Sequence, residues 1–201
     1  MSTENTTKKQ KMNLPNRLTV LRMCLVPVFM AVMLLPIGKL MPESLAWWLP
    51  RVIAAVIFIV SSFTDMLDGK IARKYNLITD FGKFIDPLAD KFMVIGALLV
   101  ILYKYASIRP IFIWAVIIVI FRELAVTSIR LVASSSSGVV IAANWLGKIK
   151  TVTQIVCVCC VIIEPMLYDL GMRLFHINLS WLVAYPPLTY ISTATMIVFT
   201  L

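Results

Sequence analysis

Residues 65–90 read DMLDGKIARKYNLITDFGKFIDPLAD, and this stretch decides the fold. It joins two long apolar segments and holds half of the ten carboxylates in the chain: Asp65, Asp68, Asp80, Asp86 and Asp90. Asp65 and Asp68 are three residues apart and Asp86 and Asp90 are four apart, so each pair shares one face of a helix. We therefore expect a helical hairpin with two acidic faces near its turn.

The rest of the chain is apolar enough to lie in a membrane. Of its 201 residues, 60% are hydrophobic and 14% charged, which is unlike a soluble domain. The apolar blocks are about 16 to 24 residues long and so can cross roughly 30 Å of hydrocarbon. The pattern predicts an all-α integral membrane protein. A basic segment, 1–17, should precede one membrane domain, 18–201, and we expect no cleavable signal. Six transmembrane helices are predicted, at 18–36, 52–68, 87–104, 110–133, 148–170 and 178–200.

Breaks between the spans are predicted from proline, glycine and serine. The run 134–137 should end the fourth span, and Pro186 with Pro187 should kink the sixth. The four cysteines, all in apolar runs, are interpreted as packing residues, and His176 as an interfacial residue.

The basic residues predict the orientation. With the N-terminus inside, fourteen of the nineteen lysines and arginines lie on the cytoplasmic side, so both termini should be cytoplasmic. The net charge of +9 then suits anionic lipid headgroups. Nucleic-acid binding, the other explanation for a basic chain, does not fit six spans.

The aspartates point to divalent metal. Four carboxylates at the edge of hydrocarbon repel each other and cost several kcal/mol each to desolvate. Hard oxygen ligands favour magnesium, manganese or calcium, and two ions could share four carboxylates. Asp65 lies 14 residues after Arg51, and Asp90 lies 14 residues before Lys104. At about 1.5 Å per residue both lie roughly 20 Å from the outer face, which implies a polar cavity open to the cytoplasm.

Structural alternatives exist for single residues. Asp86 before Pro87 has the pattern of a helix N-cap followed by a first-turn proline, and Asp80 suits a loop. Arg122 beside Glu123 suits a structural pair within the membrane. Four aspartates at helical spacing on facing span ends disfavour these explanations for the group as a whole.

The stretch resembles the signature of the CDP-alcohol phosphotransferases, D-x-x-D-G-x-x-A-R-x8-G-x3-D-x3-D, at every fixed position. The resemblance to the phosphatidylglycerophosphate synthase branch extends over roughly residues 13–154. It is carried by Asn13-Leu-Pro-Asn16-Arg-Leu-Thr19-Val-Leu-Arg22, Phe121-Arg122-Glu123-Leu-Ala-Val-Thr127-Ser-Ile-Arg130 and Leu146-Gly147-Lys148-Ile-Lys150-Thr151.

The resemblance implies the six-helix CDP-alcohol phosphotransferase fold, a homodimer, and two magnesium or manganese ions per site. Asp65, Asp68 and Asp86 would be metal ligands, and Asp90 both a ligand and the general base.

The same matched positions imply a nucleotide site. Asp68 would contribute to binding CDP, Gly69 and Gly82 would let the backbone approach it, Ala72 would leave room for cytidine, and Arg73 would meet the pyrophosphate.

The implied reaction is attack by an alcohol on the β-phosphorus of CDP-diacylglycerol at a bacterial cytoplasmic membrane, with release of CMP. The basic residues after 121 favour an acceptor that already carries phosphate, so glycerol 3-phosphate is expected. Lys148 and Lys150 point to different helix faces, so only one should reach the site. Serine, inositol phosphate and phosphatidylglycerol are the other acceptors within the family. The predicted acceptor-phosphate residues are Arg122, Thr127, Arg130 and Lys148.

A divalent-cation transporter is the competing class of protein. Transporters place their ligands near the midplane, between structural repeats. The aspartates here cluster at one end of one hairpin, and the sequence has no visible repeat, which favours the enzyme.

Overall fold

A computed structural model describes residues 14–74, 80–137, 145–175 and 180–201 of the chain. Regular secondary structure in these residues is entirely helical, which confirms the all-α prediction. A 3₁₀ helix, Ile37–Leu40, follows the first α-helix. The α-helices are α1 Leu14–Leu34, α2 Glu43–Ala46, α3 Leu49–Lys74, α4 Asp80–Lys104, α5 Arg109–Ser137, α6 Trp145–Phe175, α7 Ser180–Ala184 and α8 Pro187–Thr200.

Within the described ranges, five segments are long and apolar enough to cross a membrane: 17–34, 43–64, 109–129, 147–175 and 181–200. They correspond to five of the six predicted spans. The remaining prediction, 87–104, corresponds to α4, which has 25 residues. Helix α4 holds six charged residues, more than any of the five segments.

Three helices reach further than hydropathy predicts. Helix α3 continues to Lys74 and α4 begins at Asp80, so Pro87 lies inside α4. The structural alternatives of an N-cap at Asp86 and a loop at Asp80 therefore do not hold. Helix α5 also continues through 134–137, where a break was predicted. Hydropathy detects the part of a helix that lies in hydrocarbon, whereas backbone hydrogen bonds carry the helix on into water.

The predicted sixth span is broken rather than kinked. Helix α7 ends at Ala184 and α8 begins at Pro187. Pro186 between them has an extended backbone, with φ −71° and ψ 107°. Pro187 takes the first position of α8, where its missing N–H leaves no broken hydrogen bond.

Helix α1 packs against both α3 and α4. The rings of Phe29 and Phe58 lie 5.7 Å apart between α1 and α3. At Gly96 of α4 an added Cβ would come within 3.2 Å of Val26 on α1. Small residues at such contacts let membrane helices approach closely.

Helix α6 packs against α8 through buried polar groups. The carboxylate of Glu164, which is 1% exposed, accepts hydrogen bonds from the backbone N–H groups of Leu188 (2.8 Å) and Thr189 (2.6 Å). It also accepts one from the hydroxyl of Tyr168, at 2.6 Å. Glu164 thus caps the N-terminus of α8, although it belongs to another helix. Further along, Cys157 Sγ lies 3.6 Å from Thr193 Oγ1.

The bundle has two ends. At the acidic end α3 ends and α4 begins, and at the distal end α3 begins and α4 ends. At the distal end Arg51 pairs with Asp169 at 2.6 Å. Lys104 Nζ donates to the carbonyl of Met33 at 2.8 Å. Beside Arg51, burial raises the pKa of Tyr105. The cations named here thus have protein partners.

Candidate active site

The buried stripe of α1 changes character along its length. Thr19, Arg22, Val26, Phe29 and Met33 are each 2% exposed or less. Their spacing of three and four residues places them on one face of the helix. The stripe is apolar towards the distal end and polar towards the acidic end.

Helix α3 follows the same pattern. Ala54, Phe58 and Ser61 are buried, and the spacing of three and four residues continues through positions 65 and 68. Asp65 and Asp68 therefore lie on the face of α3 that packs inside the bundle.

On α4 the buried residues Met93, Ala97 and Ile101 continue towards the acidic end through Asp90 and position 86. The side chain of Asp90 is partly exposed. The acidic positions of both helices thus extend the inward faces of those helices.

A shared cleft relates the level of α3 to the level of α4. Ser61 and Met93 line the same small cleft. One helical turn, about 3.6 residues, from these residues towards the acidic end lie Asp65 on α3 and Asp90 on α4. Position 65 is thus level with Asp90, and the opposition of two acidic faces stays a prediction.

A hydrogen-bonded chain links α4 to α5 beside Asp90. The ammonium of Lys91 donates to the hydroxyl oxygen of Thr127. That hydroxyl donates to the backbone carbonyl of Glu123 at 2.7 Å. Thr127, predicted for the acceptor site, therefore lies beside the residue that follows Asp90.

The next contact links α5 to α6. The ammonium of Lys150 donates to the carboxylate of Glu123, and both side chains are 10% exposed. Arg122, predicted for the acceptor site, lies 3.7 Å from the same carboxylate. Two cations and one anion thus meet in the interior, within the part of α5 and α6 that is apolar enough to span a membrane.

Lys148 lies apart from this group. It is exposed, and its ammonium sits over the ring of Trp145, 5.2 Å from the centroid. Its role at the acceptor phosphate stays a prediction. Of the two lysines, Lys150 is the one that reaches the interior. The prediction that only one of them reaches the site rested on their positions on different faces of the helix.

Most of the remaining predicted site residues have side chains outside the described part of the structure. Their backbone positions on α3, α4 and α5 are described, and their predicted roles stay predictions. They are Asp65, Asp68, Gly69, Ala72, Arg73, Gly82, Asp86 and Arg130. His176 lies wholly outside the described residues.

Among the described side chains, no three His, Cys, Asp or Glu residues form a metal-binding group. Asp90 is the one member of the predicted ligand set whose side chain is described. The four cysteines are free thiols: Cys157 is buried, Cys24 is exposed, and Cys159 and Cys160 lie between these extremes.

The sequence predicted no role for Glu123 at the acceptor phosphate, and of the two lysines it favoured Lys148 over Lys150. It suggested the adjacent Arg122 as the structural partner of Glu123, although neighbours in sequence do not face one another on a helix. The approach of α6 that brings Lys150 to Glu123 is a tertiary contact. The spacing of Glu123 and Thr127 on one face of α5 was the available signal.

The chain is similar to proteins of one family. A family model described as CDP-alcohol phosphatidyltransferase matches residues 12–198. The CDP-diacylglycerol–glycerol-3-phosphate 3-phosphatidyltransferase of Bacillus subtilis strain 168 is 45% identical over 160 residues, which are 79% of this chain and 80% of that protein.

Two further relatives carry related names. The enzyme of the same name from Salmonella typhimurium strain LT2 is 32% identical over 189 residues, 90% of this chain and 94% of that protein. A probable phosphatidylglycerophosphate synthase of Mycobacterium tuberculosis strain H37Rv is 39% identical over 146 residues, 73% of this chain and 64% of that protein.

The fold defines a helical membrane protein, and its described interior holds the charged side chains of Arg22, Glu123 and Lys150. The chain belongs to the CDP-alcohol phosphatidyltransferase family and is an enzyme of that family.

Proposed function

We propose that this enzyme transfers the phosphatidyl group of CDP-diacylglycerol to glycerol 3-phosphate and releases CMP. The names of its relatives support these substrates. The observation that carries the proposal is the register of α3 and α4, in which Asp65 and Asp90 lie one turn beyond the same cleft. Carboxylates at these positions would form one acidic level, where a pyrophosphate with its counterions would bind.

The donor set fits divalent metal. Aspartates supply carboxylate oxygens, the ligands that magnesium and manganese prefer. Asp65, Asp68, Asp86 and Asp90 would hold two ions. When bound, such ions neutralise the pyrophosphate oxygens and the charge on departing CMP.

Asp90 would act as the general base. Its side chain is partly exposed on an otherwise buried stripe, so it can meet a soluble substrate. It would take the proton of the acceptor hydroxyl while the hydroxyl oxygen bonds to the β-phosphorus. The bond from that phosphorus to the CMP oxygen breaks in line, and CMP leaves.

The nucleotide would lie along the acidic end of the same hairpin. Asp68 with Arg73 would contact CDP, and Gly69, Ala72 and Gly82 would leave space for it. Their positions on the last turns of α3 and the first turn of α4 support this assignment.

The acceptor phosphate would bind among the cations of α5 and α6. Arg122 and Lys150 share the carboxylate of Glu123, so the group keeps a net positive charge. Charge-assisted hydrogen bonds from arginine to phosphate are strong and directional. Arg130 lies two turns beyond Arg122, towards the acidic end, and would complete the site with Lys148.

Helix α4 would be the sixth span, with its charged residues facing the site. Both termini and the active site would then face the cytoplasm of a bacterial membrane, as the distribution of basic residues suggests. A homodimer is proposed from the family resemblance.

Reconstitution tests the proposal. Purified protein in proteoliposomes receives CDP-diacylglycerol, one alcohol and either Mg²⁺, Mn²⁺ or a chelator, and the lipid product is identified by mass. We expect CMP release and phosphatidylglycerophosphate with glycerol 3-phosphate and metal only. If a lipid product forms from serine, inositol phosphate or phosphatidylglycerol instead, glycerol 3-phosphate is not the acceptor. Metal uptake without CMP release would contradict the enzyme reaction.

A further inference from the structure

Arg22 is a fully buried cation near the acidic end of α1. Its relative exposure is 0%, and it is the largest of the fully buried side chains among the described residues. An arginine that serves membrane topology or binds lipid headgroups extends towards water. A buried guanidinium needs anionic or polar groups around it, because desolvation of a charge costs several kcal/mol.

The register of α1 and α3 places Arg22 at the level of an aspartate. These helices run antiparallel, with Phe29 against Phe58 and Val26 beside Ser61. In each pair the residue numbers add to 87. The same sum pairs Arg22 with position 65 and Thr19 with position 68, so the polar part of one stripe meets the acidic part of the other.

The register of α1 and α4 leads to the same place. These helices run parallel, and Met30 and Leu34 line one cleft with Leu99 and Tyr103. A Cβ at Gly96 would contact Val26, and residues lining this cleft show a similar offset along the two helices. This places Arg22 near positions 91 and 92, beside Asp90.

We propose that Arg22 is a positioning residue of the acidic site, whose guanidinium holds the carboxylates of α3 and α4 in place and offsets their mutual repulsion. It balances part of the acidic charge at all times, whereas bound metal would balance the rest during turnover. The role deepens the proposed function, since it concerns the same site. It also gives the Thr19–Arg22 part of the N-terminal motif a physical purpose.

A double-mutant cycle tests the coupling without substrate. Arg22→Met keeps the length of the side chain and removes its charge, and Asp90→Asn removes one carboxylate charge. Melting temperatures of the full-length protein in detergent are measured for wild type, both single variants and the double variant. We expect Arg22→Met to lower Tm by several degrees in wild type and by less than half as much in the Asp90→Asn background.

The matched control combines Arg22→Met with Ile101→Val, a substitution on the same stripe of α4 but far from the acidic end. Ile101 is 0% exposed, so it contributes packing alone. Its effect should add to that of Arg22→Met. The proposal would be overturned if Arg22→Met lowered Tm by the same amount in wild type, in the Asp90→Asn background and in the Ile101→Val background.

Arg22→Lys keeps the test informative if Arg22→Met does not fold. This variant retains the charge, so the cycle with Asp90→Asn should still show coupling. In the reconstituted assay, we expect kcat of Arg22→Lys to exceed that of a neutral Arg22→Gln variant by tenfold or more. Equal kcat values would argue against a charge-based role. If Arg22 and Asp90 are coupled in Tm but the wild type releases no CMP, the proposed function is overturned and the role of Arg22 stands. If the wild type releases CMP but the Tm losses are additive, the role of Arg22 is overturned and the proposed function stands.

Discussion

The distal and acidic ends of the bundle use the same kinds of charged residue in different ways. At the distal end three cations meet fixed protein partners. Arg51 pairs with Asp169, Lys104 binds a backbone carbonyl, and Arg173 lies over the ring of Trp47, 4.7 Å from its centroid. These contacts tie helices together.

At the acidic end, charges enter the interior from four helices. Arg22 and Glu123 are buried on α1 and α5, and Lys150 on α6, while Asp90 is partly exposed on α4. Glu123 pairs there with Lys150 and Arg122, and ionisable residues inside a membrane domain mark a candidate functional site. The comparison teaches that the burial and the number of charged side chains, rather than their residue types, distinguish a candidate site from contacts that hold helices together.

The largest expected effect comes from Asp90→Asn. An amide cannot accept the hydroxyl proton as a base, so kcat should fall by about 10³-fold. Binding of CDP-diacylglycerol should change little. The measurements are CMP release at saturating substrates and lipid binding in detergent.

Asp169→Asn at the distal end is the matched control. Its pair with Arg51 is about a quarter exposed, and such pairs contribute roughly 0.2–1 kcal/mol to stability. We expect kcat to stay at the wild-type level. If Asp90→Asn turns over at the wild-type rate, Asp90 is not the general base.

The next effect concerns the acceptor. Arg130→Ala should raise KM for glycerol 3-phosphate by roughly 10- to 100-fold, the value of a charge-assisted hydrogen bond. KM for CDP-diacylglycerol should change far less. Steady-state kinetics with each substrate varied in turn provide the comparison. Equal changes in both constants would indicate a structural role for Arg130.

A third comparison sets Lys150 against Lys148. Lys150→Met leaves the carboxylate of Glu123 buried with Arg122 alone, so stability should fall by about 3 kcal/mol. Lys148→Met alters an exposed side chain and should leave stability nearly unchanged. Denaturation in detergent measures both. Similar losses would show that the Glu123–Lys150 contact contributes little.

The smallest effect is expected from Glu164→Gln between α6 and α8. The carboxylate accepts from two backbone N–H groups and Tyr168, and an amide cannot satisfy all three donors. Stability should fall by roughly 1–3 kcal/mol, while KM for both substrates stays constant. A change in KM without loss of stability would place Glu164 in the substrate path.

The two helices that carry the acidic residues could be predicted because the information for them is local. Spacing of three and four residues sets a helix face without knowledge of any partner. The α-helical class and five of the spans follow from hydropathy in the same way. The ends of α3, α4 and α5 could not be predicted so well, since helices continue through polar residues that hydropathy treats as loops.

Tertiary contacts account for what the sequence could not predict. Arg22 counted towards topology as one more basic residue, because its burial depends on how α1 packs against α3 and α4. The partner of Glu123 is 27 residues away on another helix. The break before α8 was predicted as a kink, because two adjacent prolines permit both.

Anomalous diffraction from crystals grown with Mn²⁺ and CDP tests the central claim most directly. We expect two manganese peaks between the inward faces of α3 and α4, within coordination distance of Asp65, Asp68, Asp86 and Asp90 and next to the pyrophosphate. Ordered CDP with no manganese at these carboxylates, or aspartates turned away from one another towards lipid, would contradict the account.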